Sequence, residues 1–395
     1  MLHDPCGRQA GFTIVEALVA AVLTLTIVGA AYRLVHPSQL ALQREPEAAD
    51  MQQRLRVAAG TLFEDVMMAG AGPDWDARAG PLNGFFPPVL PFRQGLRQPD
   101  PAGTFRSDPM TVVFVPATNA QTSVSQPLPA QSADVAVNVV AGCPIVASMC
   151  GFVPGMNVLV YDDSGAFDEF TVTAVQPPLM HLQHDFMDWA RSYAAGSTVV
   201  QIVTHTFFLK SDNGTRTYQL MEYDGAGGND VPVVEHVVGL QFEYYGDPQP
   251  PRMTKPLSAS RGPWTTYGPK PPPPQTQDSG YPPGENCIFA NDGTPAPASR
   301  LSPIGDGTTL VKLTAAQLTD GPWCPDEGSP NRYDADLLRI RRIGVTLRVQ
   351  SAVDALRGPA GLLFAHSGTS RSGNRFLPDR EVRFQVAPRN LNLGR

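Results

Sequence analysis

The pattern of apolar and polar positions distinguishes an N-terminal segment from the rest of the chain. From Phe12 to Tyr32 every residue is apolar, small or a threonine, with Glu16 as the one exception. As a helix these 21 residues would rise about 32 Å, close to the ~30 Å hydrocarbon thickness of a bilayer. The pattern predicts a transmembrane helix over residues 12–35.

A second helical pattern follows over residues 36–72. Pro37 and Pro46 lie near its start, so a kink or a local break is expected between residues 36 and 46. Apolar residues then recur at spacings of three and four and form one stripe, composed of Met51, Leu55, Ala58, Leu62, Val66 and Ala69. The segment is therefore predicted to be an amphipathic helix that packs on a sheet and stops at the run from Gly70 to Pro73.

The remainder, residues 73–395, has the pattern of short strands bounded by Gly, Pro and Asp. Strand-like runs occupy residues 110–116, 133–140, 157–163, 169–175, 197–210, 215–225, 237–247, 341–350 and 380–388. Block 141–205 has its own hairpins and is predicted to be an inserted small β subdomain, and 247–308 to be a Pro/Gly-rich loop region. The predicted fold class is α+β: a long N-terminal hydrophobic helix packed on a large antiparallel β-rich head.

Composition and charge narrow the function. The chain of 395 residues contains 40 Pro and 36 Gly, and only 17% of its residues are charged. This composition suits a turn-rich β protein better than a helical bundle. The net charge of −7 provides no basic field for a polyanion, so no nucleic-acid partner is predicted.

Four cysteines lie beyond the apolar segment, and a fifth, Cys6, precedes it. The four are Cys143, Cys150, Cys287 and Cys324. An even number beyond a membrane indicates two disulfides. The pairings Cys143–Cys150 and Cys287–Cys324 are favoured, although four cysteines allow three connectivities. A zinc site is the competing interpretation, but the sequence has no CxxC and the spacing does not fit.

Glu16 needs a partner, because a carboxylate at the bilayer centre costs on the order of 3 kcal/mol. The run Gly11-Phe12-Thr13-Ile14-Val15-Glu16 resembles the processing signature of type IV prepilins and type II secretion pseudopilins. The resemblance implies that residues 1–11 are a leader peptide. It also implies that a prepilin peptidase cuts between Gly11 and Phe12, that Phe12 becomes N-methylated, and that Glu16 takes the family's acidic position.

Cleavage would give Glu16 its partner. The new ammonium at Phe12 can pair with Glu16 of a neighbouring subunit or of its own helix. Two buried ions that are each costly alone become tolerable together, so the pair would select the correct axial register during filament assembly. Arg8 in the leader fits a cytoplasmic N-terminus, which places the head in the periplasm, or outside the cell once the subunit is in a filament.

Two further runs, residues 55–73 and 376–395, resemble PilW-like minor subunits, and the first also resembles GspJ-like ones. The resemblance implies a minor pilin or pseudopilin of a type IV pilus or a type II secretion-like filament, acting in assembly or at the tip. Its implied partners are other pilins through the N-terminal helix, the prepilin peptidase and the inner membrane.

Other functions remain open at this point. The leading alternative is a membrane-anchored or tip-located adhesin that binds a surface ligand through its β head. A removable signal peptide, with Val28-Gly29-Ala30 as its cleavage site, would account for the apolar run. A plain anchor bearing a periplasmic enzyme is the third, and it predicts that Glu16→Ala leaves function intact.

Candidate chemistry in the head is sparse. Asp162, Asp163, Asp168 and Glu169 suggest a calcium loop, although a hairpin turn explains this run equally well. His181 and His184 can be drawn with Asp185 and Asp188 as a metal cluster, against solvated loop residues as the alternative. No GxSxG elbow and no phosphate-binding glycine loop occurs. The sequence predicts no enzyme, and calcium is the one cofactor that it leaves open.

Overall fold

The computed structural model describes most of the chain after residue 10. The described ranges are 11–74, 80–96, 109–139, 149–177, 179–184, 188–212, 217–224, 230–253, 265–277, 280–293, 297–357 and 377–393. For residues 34–41, 211, 212 and 217 the description covers the backbone alone.

A single long helix, α1, runs from Ile14 to Met68 and comprises 55 residues. We call it the spine helix; at 1.5 Å per residue it is about 80 Å long. Of the kink or local break expected between residues 36 and 46, the break does not occur, because the helix continues through both Pro37 and Pro46. A proline removes one backbone hydrogen bond, and here the helical turns on both sides persist despite that loss.

The C-terminal part of the spine helix packs on the head through its apolar stripe. Met51, Ala58, Leu62, Val66 and Ala69 are fully buried, and Leu55 is half-buried against the same core. This confirms the stripe expected from the 3.6-residue period. Burying each large side chain contributes about 1.5–3 kcal/mol, so the head holds this half of the helix firmly.

The strands of the described residues are short and follow the helix. The first ten are β1 (Val89–Pro91), β2 (Met110–Phe114), β3 (Gln121–Ser123), β4 (Asp134–Ala136), β5 (Asn157–Tyr161), β6 (Phe167–Gln176), β7 (His181–His184), β8 (Thr198–Gln201), β9 (Val203–Asp212) and β10 (Thr217–Tyr223). The rest are β11 (Asp230–Glu235), β12 (Val237–Gly246), β13 (Phe289–Ala290), β14 (Ala298–Ser299), β15 (Val311–Leu313), β16 (Trp323–Cys324), β17 (Tyr333–Asp334), β18 (Ile340–Val349) and β19 (Arg380–Val386).

Two antiparallel sheets share the main core with the spine helix. The first has the order β1-β2-β9-β10-β11, and the second has the order β15-β12-β18-β19. Strand β12 illustrates why they form: Leu240, Phe242 and Tyr244 are buried, while Gln241 between them is exposed. Such alternation gives each strand one core face, and it confirms the α+β arrangement of one N-terminal helix and a β-rich head.

A third, six-stranded sheet has the order β3-β8-β5-β6-β7-β4 and a hydrophobic core of its own. Its strands span residues 121–201 in sequence, so two of them, β3 and β4, precede the start of the subdomain expected at 141–205. Tyr161 and Phe167 face the main core instead of this smaller one. The third sheet is therefore packed onto the rest of the head.

The loop region 247–308 contains Cys287, one partner of a disulfide. Within residues 247–308 the regular strands of the described part are the hairpin β13–β14. A disulfide joins Cys287 to Cys324, with a Cα–Cα distance of 5.2 Å and a sequence separation of 37. Closing a loop of that length contributes roughly 4 kcal/mol in the chain-entropy view. Cys150 is also disulfide-bonded, and Cys143 lies outside the described residues.

Candidate functional site

The first 20 residues of the spine helix are mostly apolar and none of them is buried. The stretch Ile14–Arg33 is long and apolar enough to cross a membrane, and none of it is buried. Its 20 residues correspond to about 30 Å of helix. A continuous apolar surface of this length needs a cover of lipid or of other protein.

Glu16 closes the N-terminus of this helix. Thr13 is the N-cap, and its backbone N–H and its hydroxyl each donate to Glu16 Oε2 at 2.9 Å. In return, the Glu16 N–H donates to Thr13 Oγ1 at 3.3 Å. This reciprocal pair is a capping box, and it satisfies two backbone donors that the helix leaves open. The carboxylate is thus held at the helix start, close to the backbone of residue 13.

Gly11 and Phe12 lie just before the N-cap and outside the helix. Phe12 is 89% exposed, and a side chain added at Gly11 would meet nothing within 4 Å. Both residues are thus exposed among the described residues. The remaining leader residues, 1–10, lie outside the described residues.

Comparison with known families identifies this region. Residues 6–32 match the family model of the prokaryotic N-terminal methylation motif. The chain carries a type IV pilin-like N-terminus. The match takes in Gly11, Phe12 and Glu16 together with most of the exposed apolar helix. No curated protein matches the chain.

The first two calcium candidates lie in the β5–β6 turn and are engaged separately. Asp162 Oδ1 accepts from the Ser164 N–H at 2.9 Å, as in an ordinary Asx turn. Asp163 Oδ2 is 3.8 Å from Lys270 Nζ. The turn therefore accounts for the Asp162 contact, and Asp163 lies beside the ammonium group of Lys270.

The other two candidates, Asp168 and Glu169, are buried neighbours on β6, so their side chains leave opposite faces of the sheet. Asp168 Oδ2 accepts from the Tyr193 hydroxyl at 2.8 Å, and its Oδ1 accepts from Asn331 Nδ2 at 2.7 Å. Glu169 Oε1 accepts from the Thr204 hydroxyl at 3.1 Å. Calcium requires six to eight converging oxygens, and the structure does not bring these four carboxylates together.

The histidines of β7 also point apart. His181 Nδ1 contacts the Asp134 carboxylate, whereas His184 Nε2 contacts the Ser132 carbonyl oxygen at 2.8 Å. Three residues apart on a strand, the two rings lie on opposite faces. Asp185, the third member of the suggested cluster, lies outside the described residues. The strand setting, instead of a helix, is the reason that the two histidines do not share a site.

One group of ionisable side chains comes from three separate segments of the sequence. Asp65 of the spine helix, His205 of β9 and Glu222 of β10 each place one ligand atom within 4.8 Å of the others. Asp65 and His205 are 140 residues apart in sequence. No local motif could have indicated the group, because only the packing of the helix on the first sheet brings it together.

A second missed group contains buried acids. Asp334, which ends β17, is fully buried and accepts from the N–H groups of Gly321 at 2.6 Å and Asp336 at 2.8 Å. Burial raises the pKa of Asp334 to about 8, despite these hydrogen bonds, and that of Asp336 to about 6. The Asp336 carboxylate is paired with the buried Arg339. These acids lie in the head beside the short strand that contains Cys324.

Proposed function

We propose that this chain is a minor pilin or pseudopilin of a type IV pilus or a type II secretion-like filament. The observation that carries the proposal is the methylation motif over residues 6–32 on a helix whose apolar surface is unburied. In this view a prepilin peptidase cuts between Gly11 and Phe12, and Phe12 is N-methylated. The subunit waits in the inner membrane with its head in the periplasm and then enters the filament through the spine helix.

Assembly would exchange one set of contacts at Glu16 for another. Before processing, its carboxylate caps its own helix through Thr13. Cleavage adds an ammonium at Phe12, one residue from that cap. A charged amine attracts the carboxylate more strongly than neutral donors do, so the cap can yield to an ion pair with the subunit's own amine or a neighbour's. In an apolar setting an unpaired member of that pair would be costly, which makes docking selective.

The head favours a low-copy or tip position. It follows the helix from residue 73 onward and carries a six-stranded sheet in addition to the two that pack with the spine. A head of this size is hard to repeat at every step of a tight fibre. The proposed work is therefore initiation or capping of the filament instead of building its shaft.

Glu16→Gln tests the proposed docking. The variant keeps the side-chain length but loses the charge, so we expect incorporation into filaments to fall at least tenfold, with unchanged membrane levels. Quantitative immunoblotting of sheared filaments against membranes measures this ratio. Glu64→Gln is the matched control, since Glu64 is an exposed acid on the same helix beyond the apolar stretch.

Equal incorporation of Glu16→Gln and the wild type would contradict the docking mechanism. Deletion of the whole chain separates assembly from adhesion. Loss of filaments or of secretion supports the proposal, whereas intact filaments that no longer adhere would favour the adhesin.

A further inference from the structure

Three ionisable side chains meet where the end of the spine helix packs on the first sheet. They are Asp65, His205 and Glu222, and their side chains are 17%, 23% and 25% exposed. Each comes from a different element, α1, β9 and β10. The group is thus partly buried but open enough for a small ion to enter, and it lies far along the helix from Glu16.

The imidazole of His205 is oriented by Asp65. Asp65 Oδ2 lies 2.8 Å from His205 Nδ1. A proton on Nδ1 makes that nitrogen the donor and leaves the lone pair of Nε2 free, which is how carboxylates commonly orient metal-binding histidines. Nε2 then faces Glu222, whose Oε1 is 3.5 Å away.

That distance fits two ligands of one ion better than a direct bond. At 3.5 Å the separation between His205 Nε2 and Glu222 Oε1 is long for a hydrogen bond. Two atoms that each lie about 2.1 Å from a tetrahedral zinc ion are roughly 3.4 Å apart. The two side chains are therefore already spaced as such ligands would be.

The local charge also favours a cation. Three carboxylates, those of Asp65, Glu222 and Asp224, interact electrostatically with His205. The Asp224 carboxylate also interacts electrostatically with Glu222. Among the described residues no Lys or Arg forms an ion pair with Asp65, His205 or Glu222. A divalent ion would offset this excess of negative charge more fully than one protonated imidazole.

We propose that Asp65, His205 and Glu222 form a binding site for a divalent transition-metal ion of the zinc class. His205 Nε2 and Glu222 are the ligands, Asp65 orients the imidazole, and water completes the coordination. Imidazole with carboxylate suits zinc and its neighbours, whereas calcium and magnesium prefer oxygen alone. The bound ion would link β9 to β10 and, through Asp65, the sheet to the last turns of the spine helix.

The test uses the full chain in detergent, stripped of metal, with Zn²⁺ added during thermal unfolding and Co²⁺ as an absorbing probe. An ion that binds only the folded state raises the unfolding midpoint as its concentration rises. We expect a saturable rise in the wild type and none in His205→Gln or Glu222→Gln. Asp65→Asn should bind about 10–100-fold more weakly, because it removes an orienting partner instead of a ligand.

His181→Gln is the matched control. His181 is likewise 23% exposed and paired with an aspartate, Asp134, but within the described part of the chain no third ligand atom joins this pair. Its response to Zn²⁺ should equal that of the wild type.

Two results would overturn the proposal. One is the absence of any Zn²⁺-dependent shift in the wild type; the other is a shift in His205→Gln and Glu222→Gln equal to that of the wild type. If both variants are unfolded without metal, the Co²⁺ spectrum of the wild type decides. A change in the Co²⁺ ligand-field spectrum on binding that Zn²⁺ reverses supports the site, and its absence contradicts it.

Discussion

Two carboxyl groups of this chain, those of Glu16 and Asp334, lie in very different surroundings. Glu16 is exposed and completes a capping box with Thr13. Thr13 thus supplies hydrogen-bond donors to the carboxylate in the absence of an ammonium group. Asp334 is fully buried, and burial raises its pKa to about 8 although it accepts hydrogen bonds from the N–H groups of Gly321 and Asp336. Its environment therefore favours the neutral carboxylic acid, and its charge acts against the folded state.

Asp334 makes the stability of the head depend on pH. Its pKa is raised from 3.8 to about 8, mainly by burial, so the folded state holds a proton that the unfolded state releases above pH 4. The stabilisation is complete at low pH and declines as the pH rises from about 4 to about 8. It amounts to a few kcal/mol, roughly, at 1.36 kcal/mol for each pKa unit.

Asp334→Asn should remove this dependence. Asparagine stays neutral and keeps one acceptor for the N–H groups of Gly321 and Asp336. We expect the variant to be less stable than the wild type at pH 5 and the difference to shrink by pH 8, as followed by thermal unfolding. The exposed Asp306→Asn is the control. Parallel pH profiles for Asp334→Asn and the wild type would contradict this reading.

Among the elements, the spine helix is fixed to the head at its C-terminal end by Gly70. Gly70 adopts φ +81°, donates its N–H to the Val113 carbonyl at 2.9 Å and accepts from the Leu82 N–H at 3.0 Å. It thereby ties the helix end to β2 and to the chain before β1. A side chain there would lie 2.8 Å from Leu391 Cδ2, so both conformation and space favour glycine.

Gly70→Ala should therefore destabilise the head, by about 1–2 kcal/mol for the left-handed conformation and more for the displaced Leu391. Gly60 provides a matched control on the same helix, since a side chain added there meets nothing within 4 Å. Gly60→Ala should be neutral or stabilising by up to about 1 kcal/mol. Denaturant unfolding of both variants measures the contrast, and equal effects would show that the helix end is not constrained in this way.

Within the head, sequence patterns predict the parts that depend on local spacing. The buried stripe of the spine helix follows from its 3.6-residue period, and the strands of the second sheet follow from alternation. The run 197–210 reads as one strand, but the chain passes from β8 in the third sheet to β9 in the first at Ile202. Alternation continues through that point, so nothing local indicates the change of sheet.

Across the whole molecule, the two candidate sites differ in how far they could be foreseen. Gly11, Phe12 and Glu16 lie within six residues of one another, so their spacing can be recognised in the sequence. Asp65 and His205 meet only after the helix and the first sheet have packed. The acids of the calcium candidate show the converse, because Asp168 and Glu169 are neighbours in sequence and yet leave opposite faces of β6.

We propose that the whole molecule acts through one processing event. This event creates an ammonium group at Phe12, which can pair with the Glu16 carboxylate. Intact-mass and N-terminal peptide mass spectrometry of the membrane-extracted chain measures that event directly. We expect a mature chain that begins at Phe12 and carries one methyl group on its α-amine. A chain that still begins at Met1, or one cut later so that it begins at Ala31, would lack that amine and contradict the proposed filament role.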